Sequence, residues 1–192
     1  MCKFQQRRPK AKLKKMVDRA RRELKDDTQV DIIESSLSTI FDDEQLLLFL
    51  HAPPGAGKTR IANEITRCLS ELNYNTTNTA ITGTAATHLP NGCTLSHLLA
   101  VAGFGEKITW KNVIIISEDQ AQKVLTRLGR NTRLLIIDEI SMCSARFLAL
   151  ADIILRAVLK NDLPFGGFNV IIMGDFDQMK PIKSKSLYQS AI

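Results

Sequence analysis

The sequence predicts an α/β domain in which a parallel sheet is flanked by helices. Two observations carry that expectation. Four short runs, at 46–50, 76–81, 134–137 and 170–173, are rich in Leu, Ile and Val, or in Thr for the second, and each leads through Gly, Pro or acidic residues into helical pattern. Unbroken apolar runs suit strands buried on both faces, and strand–helix alternation suits parallel crossovers. The size agrees: 192 residues, 44% of them hydrophobic, can bury a sizeable core and are too apolar for a disordered chain.

Several classes are excluded at the outset. The longest apolar runs are four- and five-residue blocks such as 46–50, far short of a membrane span. The start, MCKFQQRRPK, lacks the apolar centre of a secretory signal. Cys2, Cys68, Cys93 and Cys143 are far apart, with no CxxC pair, and read as free thiols in a reducing compartment. Secreted, collagen-like, disulfide-stapled and membrane-spanning readings fall away together.

The net charge of +6 belongs to one end. Residues 1–25 hold eleven Lys and Arg against Asp18 and Glu23, a local excess of +9, whereas residues 26–192 hold fifteen against eighteen, or −3. The body is slightly acidic, so the overall basicity does not make it a nucleic-acid binder. The chain therefore divides into a basic segment, 1–23, and one compact domain, 24–192. In the segment Leu13, Met16, Val17, Ala20 and Leu24 recur at three- and four-residue steps among Lys and Arg, the pattern of an amphipathic helix with a cationic face. Three readings stand open for it: a solvated helix docked by its apolar stripe, a nuclear-import patch around 7–15, and an arm that contacts phosphates.

In the body, helices are predicted over 27–40, 59–72, 120–129 and 142–160, while 113–116 fits another strand or a buried helical turn equally. Directly after the first strand stands Ala52-Pro53-Pro54-Gly55-Ala56-Gly57-Lys58-Thr59, followed by a helical run from Arg60. This is Walker A spacing in its required context of strand, loop and helix. Gly55 and Gly57 let backbone N–H groups turn toward phosphate oxygens, and the helix adds its positive end. Pro54, Gly55, Ala56, Gly57, Lys58, Thr59 and Arg60 are thus the nucleotide-binding candidates. Lys58 reaches the β- and γ-phosphates and the Thr59 hydroxyl ligates Mg²⁺. Ala52 replaces the usual first Gly, a change that needs only ordinary backbone angles.

Eighty residues beyond Lys58, the run 134–137 delivers Asp138 and Glu139 at its end. In an open parallel sheet that edge is where ligands bind. Asp138 is read as the Mg²⁺ ligand, and Glu139 as the base that takes a proton from water attacking the γ-phosphate, so hydrolysis and not mere binding is expected. A further strand leads to Gly174-Asp175-Phe176-Asp177-Gln178, where Gln178 can bond the γ-phosphate and register its loss, although on the residues alone a plain turn with Gly, two Asp and Pro is the favoured reading.

Together these segments resemble the PIF-type (petite integration frequency) DNA helicases of superfamily one, with RecD-like and Helitron-type relatives. The resemblance covers 24–192 and rests on PPGAGKT, TGTAATHL followed by TLSHLL, LIIDEISM and GDFDQMKPI. It implies a RecA-like P-loop NTPase sheet and ATP with Mg²⁺. It gives Gln29 the reading of the adenine edge, although the spacing carries one residue more than the usual form. Lys58, Glu139 and Gln178 become the catalytic set, and Thr59 and Asp138 the metal ligands. Thr82, Gly83, Thr84 and Ala85 match the segment that holds single-stranded DNA, for which a plain strand-to-helix turn capped by Thr84 is the alternative on the residues alone. Ser96 and His97 fall where the family has a DNA contact, in inverted order. His51, His88 and Trp110 receive no role.

The resemblance further implies a second RecA-like lobe that supplies arginines to the phosphates. The 192 residues are expected to be the N-terminal motor lobe alone, slow in turnover by a factor on the order of 10³ or more for want of an arginine finger. The implied function is an ATP-dependent DNA helicase moving 5′ to 3′ on single-stranded DNA in repair, recombination or telomere maintenance, in the nucleus or mitochondrion, with no membrane partner. Two other readings remain: an inactive ATP- or DNA-binding remnant of a mobile element, and a small single-domain P-loop enzyme such as a nucleotide kinase. The last would need an arginine-rich lid, and the only tight group, Arg127, Arg130 and Arg133, precedes the Asp138 strand.

Overall fold

The structure is a computed structural model that describes residues 10–101 and 116–175. In chain order it contains α1 (Lys10–Leu24), α2 (Asp27–Phe41), β1 (Leu47–His51), α3 (Lys58–Ser70), β2 (Asn75–Ala80), α4 (Gly83–Thr87), β3 (Cys93–Thr94), α5 (Leu95–Leu98), α6 (Glu118–Leu128), β4 (Thr132–Asp138), α7 (Ala145–Leu159) and β5 (Asn169–Gly174). The strands form one sheet in the order β1-β5-β4-β2-β3, and every pairing is parallel. Each run predicted as a strand is one, within about two residues at either end. The segment 113–115 and the GDFDQ loop from Phe176 onward, with Gln178, lie outside the described residues, as does Trp110.

The period-2 alternation of the strands splits the core in two. Leu134 and Ile136 of β4, with Ile171 and Met173 of β5, face a layer built by α1, α2 and α3. Leu135 and Ile137, with Val170, face the other layer, made by α5, α6 and α7. Apolar side chains on both faces explain why the sequence of these strands is an unbroken run instead of an alternating one. β1 departs from the expectation of burial on both faces: Leu47 and Phe49 are 50% and 45% exposed. The reason is positional, because among the described residues β1 borders the sheet and has a neighbour strand on one side only.

Side chains that precede the helices set where they begin. Asp26, Ser117 and Ser144 each accept from the backbone N–H three residues on, at Gln29, Gln120 and Phe147. The run predicted as a helix over 142–160 is divided for that reason. A 3-10 turn occupies Ile140–Met142, Cys143 is extended, and α7 starts anew after its Ser144 cap.

From Lys10 onward the basic segment forms α1, and its stripe is seated. Met16, Val17, Ala20 and Leu24 are buried, with Leu13 packed against the same core as α2 and α3. Arg19 adds an ion pair to Glu64 at 3.1 Å and another to Glu71, and Arg67 of α3 bonds Glu23 at 2.7 Å and Glu64 at 2.6 Å. Glu64 is buried, and a buried carboxylate needs such partners. The helix that springs from the Gly-Lys-Thr loop is thereby fastened to α1. Among the described residues, no helix is long and apolar enough to cross a membrane.

Candidate functional site

A parallel sheet sends every strand's carboxyl end to the same edge, so the segments after β1, β5, β4, β2 and β3 emerge side by side in that order. All the described site candidates except Gln29 lie on these segments.

After β1 comes the cradle. Gly55 and Gly57 hold φ of +78° and +89°, values that L-residues with a Cβ seldom adopt. Gly57 is required twice over. A Cβ there would meet Nε2 of Gln29 at 2.6 Å, because Gln29, on the first turn of α2, lies against the loop. The Gln29 amide donates to the Ala56 carbonyl at 3.4 Å, and its Oε1 is buried with no hydrogen-bond partner. An acceptor held beside a phosphate-type loop, with nothing yet to accept from, fits a nucleotide base amine. The extra residue in the spacing around Gln29 does not keep it from the loop, since the Asp26 cap starts α2 at the right turn.

Lys58 opens α3 and bends back over the loop, donating to the carbonyl of Pro53 at 3.1 Å and to that of Ala52. Thr59 follows it and is exposed. Arg60 is engaged elsewhere: its guanidinium donates to the Glu23 carbonyl at 2.8 Å, at the end of α1. Among the cradle candidates, Arg60 is the one whose side chain serves the docking of α1.

Asp138 ends β4. Burial pushes its carboxyl above the usual range, and the adjoining Glu139 charge adds to this; the Glu139 N–H, which donates to Asp138 Oδ1 at 2.8 Å, and the charge of Lys58 work against it. Lys58 is therefore within electrostatic reach of the carboxylate across the edge. A hydroxyl and a carboxylate are hard oxygen donors of the kind Mg²⁺ takes alongside phosphate oxygens and water. Among the described residues, no group of three or more His, Cys, Asp and Glu could hold a metal ion.

Glu139 sits in the left-handed region, at φ 55° and ψ 42°, where an L-residue pays roughly 1–2 kcal/mol. Its Oε2 accepts from the Thr82 hydroxyl at 3.1 Å. Thr82, and not the expected Thr84, caps α4, its oxygen accepting from the Ala85 N–H at 3.2 Å. The structure turns Ala85 inward, onto Ala80, Ala86 and Leu89, and leaves Gly83 and Thr84 exposed. Next along the edge, Ser96 bonds the Thr94 hydroxyl at 3.0 Å, and His97 exposes its ring while its carbonyl accepts from Arg127. Because Ala80 of β2 pairs with Thr94 of β3, the 82–85 turn and the 96–97 turn are neighbours.

Two features escaped the sequence reading. The Thr82–Glu139 bond joins residues far apart in the chain, and only strand order brings them together. His51 has an acidic neighbour for the same reason: its Nε2 lies 3.8 Å from Asp175, at the ends of the paired strands β1 and β5.

The family model for PIF1-like helicases matches residues 24–192. The chain belongs to the PIF1-like helicase family. Curated relatives include the ATP-dependent DNA helicase Pif1 of Psychrobacter sp., 38% identical over 138 residues, which are 72% of this chain and 20% of that protein. The ATP-dependent DNA helicase RRM3 of Saccharomyces cerevisiae is 38% identical over 140 residues, 72% of this chain and 19% of its own. Among solved structures, the Pif1 helicase of Candida albicans matches with a TM-score of 0.61 at 28% identity, over 84% of this chain and 36% of that one. The Bacteroides Pif1 helicase in complex with ADP-AlF3 and single-stranded DNA gives a TM-score of 0.59 at 30% identity, over 83% and 35%. This PIF1-like chain thus spans about a fifth of the length of those curated relatives and about a third of those solved chains.

Proposed function

We propose that the chain is the first motor lobe of an ATP-dependent DNA helicase, with residues 24–192 forming a RecA-like ATPase unit and residues 1–23 a basic segment whose helix α1 is fastened to it. The observation that carries this is the order of segments along one sheet edge: phosphate cradle, Asp138 with Glu139, then the 82–85 and 96–97 turns. Relatives named as ATP-dependent DNA helicases, and a Pif1 solved with single-stranded DNA, support the same assignment.

In this reading the amides of 54–59 and the Lys58 ammonium bind the phosphates of ATP, and Gln29 accepts from the adenine amine. Thr59 and Asp138 hold Mg²⁺, which neutralises phosphate charge when bound. Lys58 leaves the Ala52 and Pro53 carbonyls for phosphate oxygens, and a cation over charge developing in transfer is the main device such sites have. Glu139 orients the attacking water and accepts its proton; Gln178 bonds the γ-phosphate. Exposed Gly83 and Thr84 meet the DNA backbone, with Thr82 and Ala85 shaping the turn and Ser96 and His97 beside it. Backbone contacts of this type position a strand without reading its sequence. A second RecA-like lobe supplies the arginines that complete the phosphate site, and the working direction is 5′ to 3′. Repair, recombination and telomere maintenance in the nucleus, or the mitochondrion, are the settings this activity fits.

The test is ATP hydrolysis by this chain with and without oligo(dT), using Glu139→Gln as control. Hydrolysis that DNA stimulates and the substitution abolishes is the expected result. Hydrolysis that survives Glu139→Gln refutes the assignment of the base.

A further inference from the structure

We propose that Thr82 is a positioning residue for Glu139: its hydroxyl holds the carboxylate on the DNA side of β4 until the 82–85 turn moves. This rests on the helicase reading above and goes beyond it by giving the strand-holding turn a direct grip on the hydrolytic base.

The Thr82 hydroxyl has one proton. Its oxygen already accepts from the Ala85 N–H at 3.2 Å, and the proton goes to Glu139 Oε2 at 3.1 Å. One side chain therefore closes the first turn of α4 and anchors the carboxylate. β2 flanks β4 on the side opposite β5 and β1, so this anchor draws the carboxylate away from the strands that lead to the cradle. The Glu139 main chain cannot follow a displacement easily. Its N–H is fixed to Asp138 Oδ1 at 2.8 Å. The next residue is clamped against the end of β5, where a Cβ on Gly174 would meet Ile140 Cγ2 at 2.7 Å and Ile140 N at 3.2 Å. Asp138, with Lys58 in electrostatic reach, is the cradle-side charge; Thr82 is the partner on the other side. With the backbone pinned, the movable part is the Glu139 side chain, and Thr82 decides where it rests. A DNA backbone seated on Gly83 and Thr84 shifts the α4 turn, withdraws the hydroxyl and frees the carboxylate to swing toward the cradle.

The experiment uses the whole chain and three substitutions. Thr82→Val removes the hydroxyl; Thr82→Asp keeps a cap acceptor for Ala85 but cannot donate to Glu139; Thr82→Ser keeps both functions. ATP turnover with and without oligo(dT) and ATP affinity are measured for each. Val and Asp should each raise DNA-independent kcat about fivefold or more, with KM for ATP unchanged and the stimulation ratio falling toward one, while Ser restores the ratio. Because Asp retains the cap, loss of the α4 turn cannot produce its effect. The ¹³C carboxyl resonance of Glu139, assigned by its loss in Glu139→Gln, should move in the Val and Asp variants and, in the parent chain, on adding oligo(dT). A resonance that stays put, or DNA-independent turnover unchanged or lowered in both variants, overturns the proposal. Hydrolysis no faster than that of Glu139→Gln, with no ATP bound, would count against the ATPase reading instead; with ATP bound it would mean that turnover waits for the second lobe, and in either case the carboxyl resonance decides the Thr82 link.

Discussion

Truncating the seated stripe of α1 distinguishes a docked helix from a free basic arm. Met16 and Val17 are each 5% exposed and pack in the core layer shared with α2 and α3. Met16→Ala removes a buried thioether chain and leaves a cavity, a change that costs about 2–4 kcal/mol. Val17→Ala removes two methyl groups, for about 1.5–2.5 kcal/mol once the cavity is included. In a chain of this length about 1 kcal/mol lowers the melting temperature by roughly 2–4 °C, so Met16→Ala should melt about 4–16 °C below the parent. Lys14→Ala and Lys15→Ala, at exposed positions of the same helix, should stay within about 0.5 kcal/mol. Urea titration followed by circular dichroism gives both values, and a midpoint change at constant slope assigns the loss to the folded state. Met16→Ala melting together with Lys14→Ala would refute the docking, and α1 would then be an arm free of the core. Docking does not remove the exposed Lys12, Lys14 and Lys15 from solvent, so the helix can be seated and still present charge to a phosphate backbone.

Further outcomes follow from the cradle, the carboxylate and the thiols. Gly57→Ala combines a Cβ at φ +89° with a 2.6 Å approach to Gln29, and at about 1.4 kcal/mol or more it should weaken ATP binding at least tenfold, read by fluorescent-nucleotide titration, with little change in the circular dichroism spectrum. Lys58→Ala should abolish that binding; retained affinity would remove Lys58 from the phosphate site. Asp138 has its carboxyl raised by burial, so the fold favours its protonated form; that contribution is present in acid and lost as pH rises through the raised value. Asp138→Asn should accordingly raise the melting temperature at neutral pH, give no gain in acid, and eliminate Mg²⁺-dependent nucleotide binding. Burial pushes the Cys68 and Cys143 thiols up to about 12, so a disulfide reagent at mildly alkaline pH should leave both unmodified until the chain unfolds. Their neutral burial also makes stability fall as pH rises from about 9 toward 12, since the unfolded thiols ionise first.

What the sequence shows about this fold is what local pattern can encode. The run 134–137 and its two acids give β4 and its edge, because a strand buried on both faces must be apolar throughout and its carboxyl end is the first place a charge can stand. Walker A spacing gives the cradle, since Gly55 and Gly57 are demanded by positive φ. α1 is legible as a periodicity, but not as a seated helix; its Arg19–Glu64 and Arg67–Glu23 pairs join distant positions and leave no local trace. The exposure of Leu47 and Phe49 is equally hidden, for a border strand and an inner strand carry the same Leu-rich run. The short α4 and α5 hold too few residues to show a period.

Strand order, not chain order, decides which groups can influence one another here. In sequence the proposed DNA-holding turn at 82–85 comes soon after the cradle, and Glu139 lies far beyond both. In the sheet β4 stands between β5 and β2, so Glu139 is intermediate: Asp138, its neighbour in the chain, lies within reach of the Lys58 charge on one side, and its own carboxylate is bonded to Thr82 on the other. In the coupling proposed above, a signal passing from a DNA strand to the γ-phosphate needs no long path through the sheet. It has to shift one hydroxyl relative to one carboxylate, and the left-handed backbone at Glu139 together with the close approach of Gly174 keeps the rest of the strand end from yielding in their place. A rigid frame with one soft contact is what coupling between two sites requires, because a frame that deformed everywhere would dissipate the displacement before it reached the base.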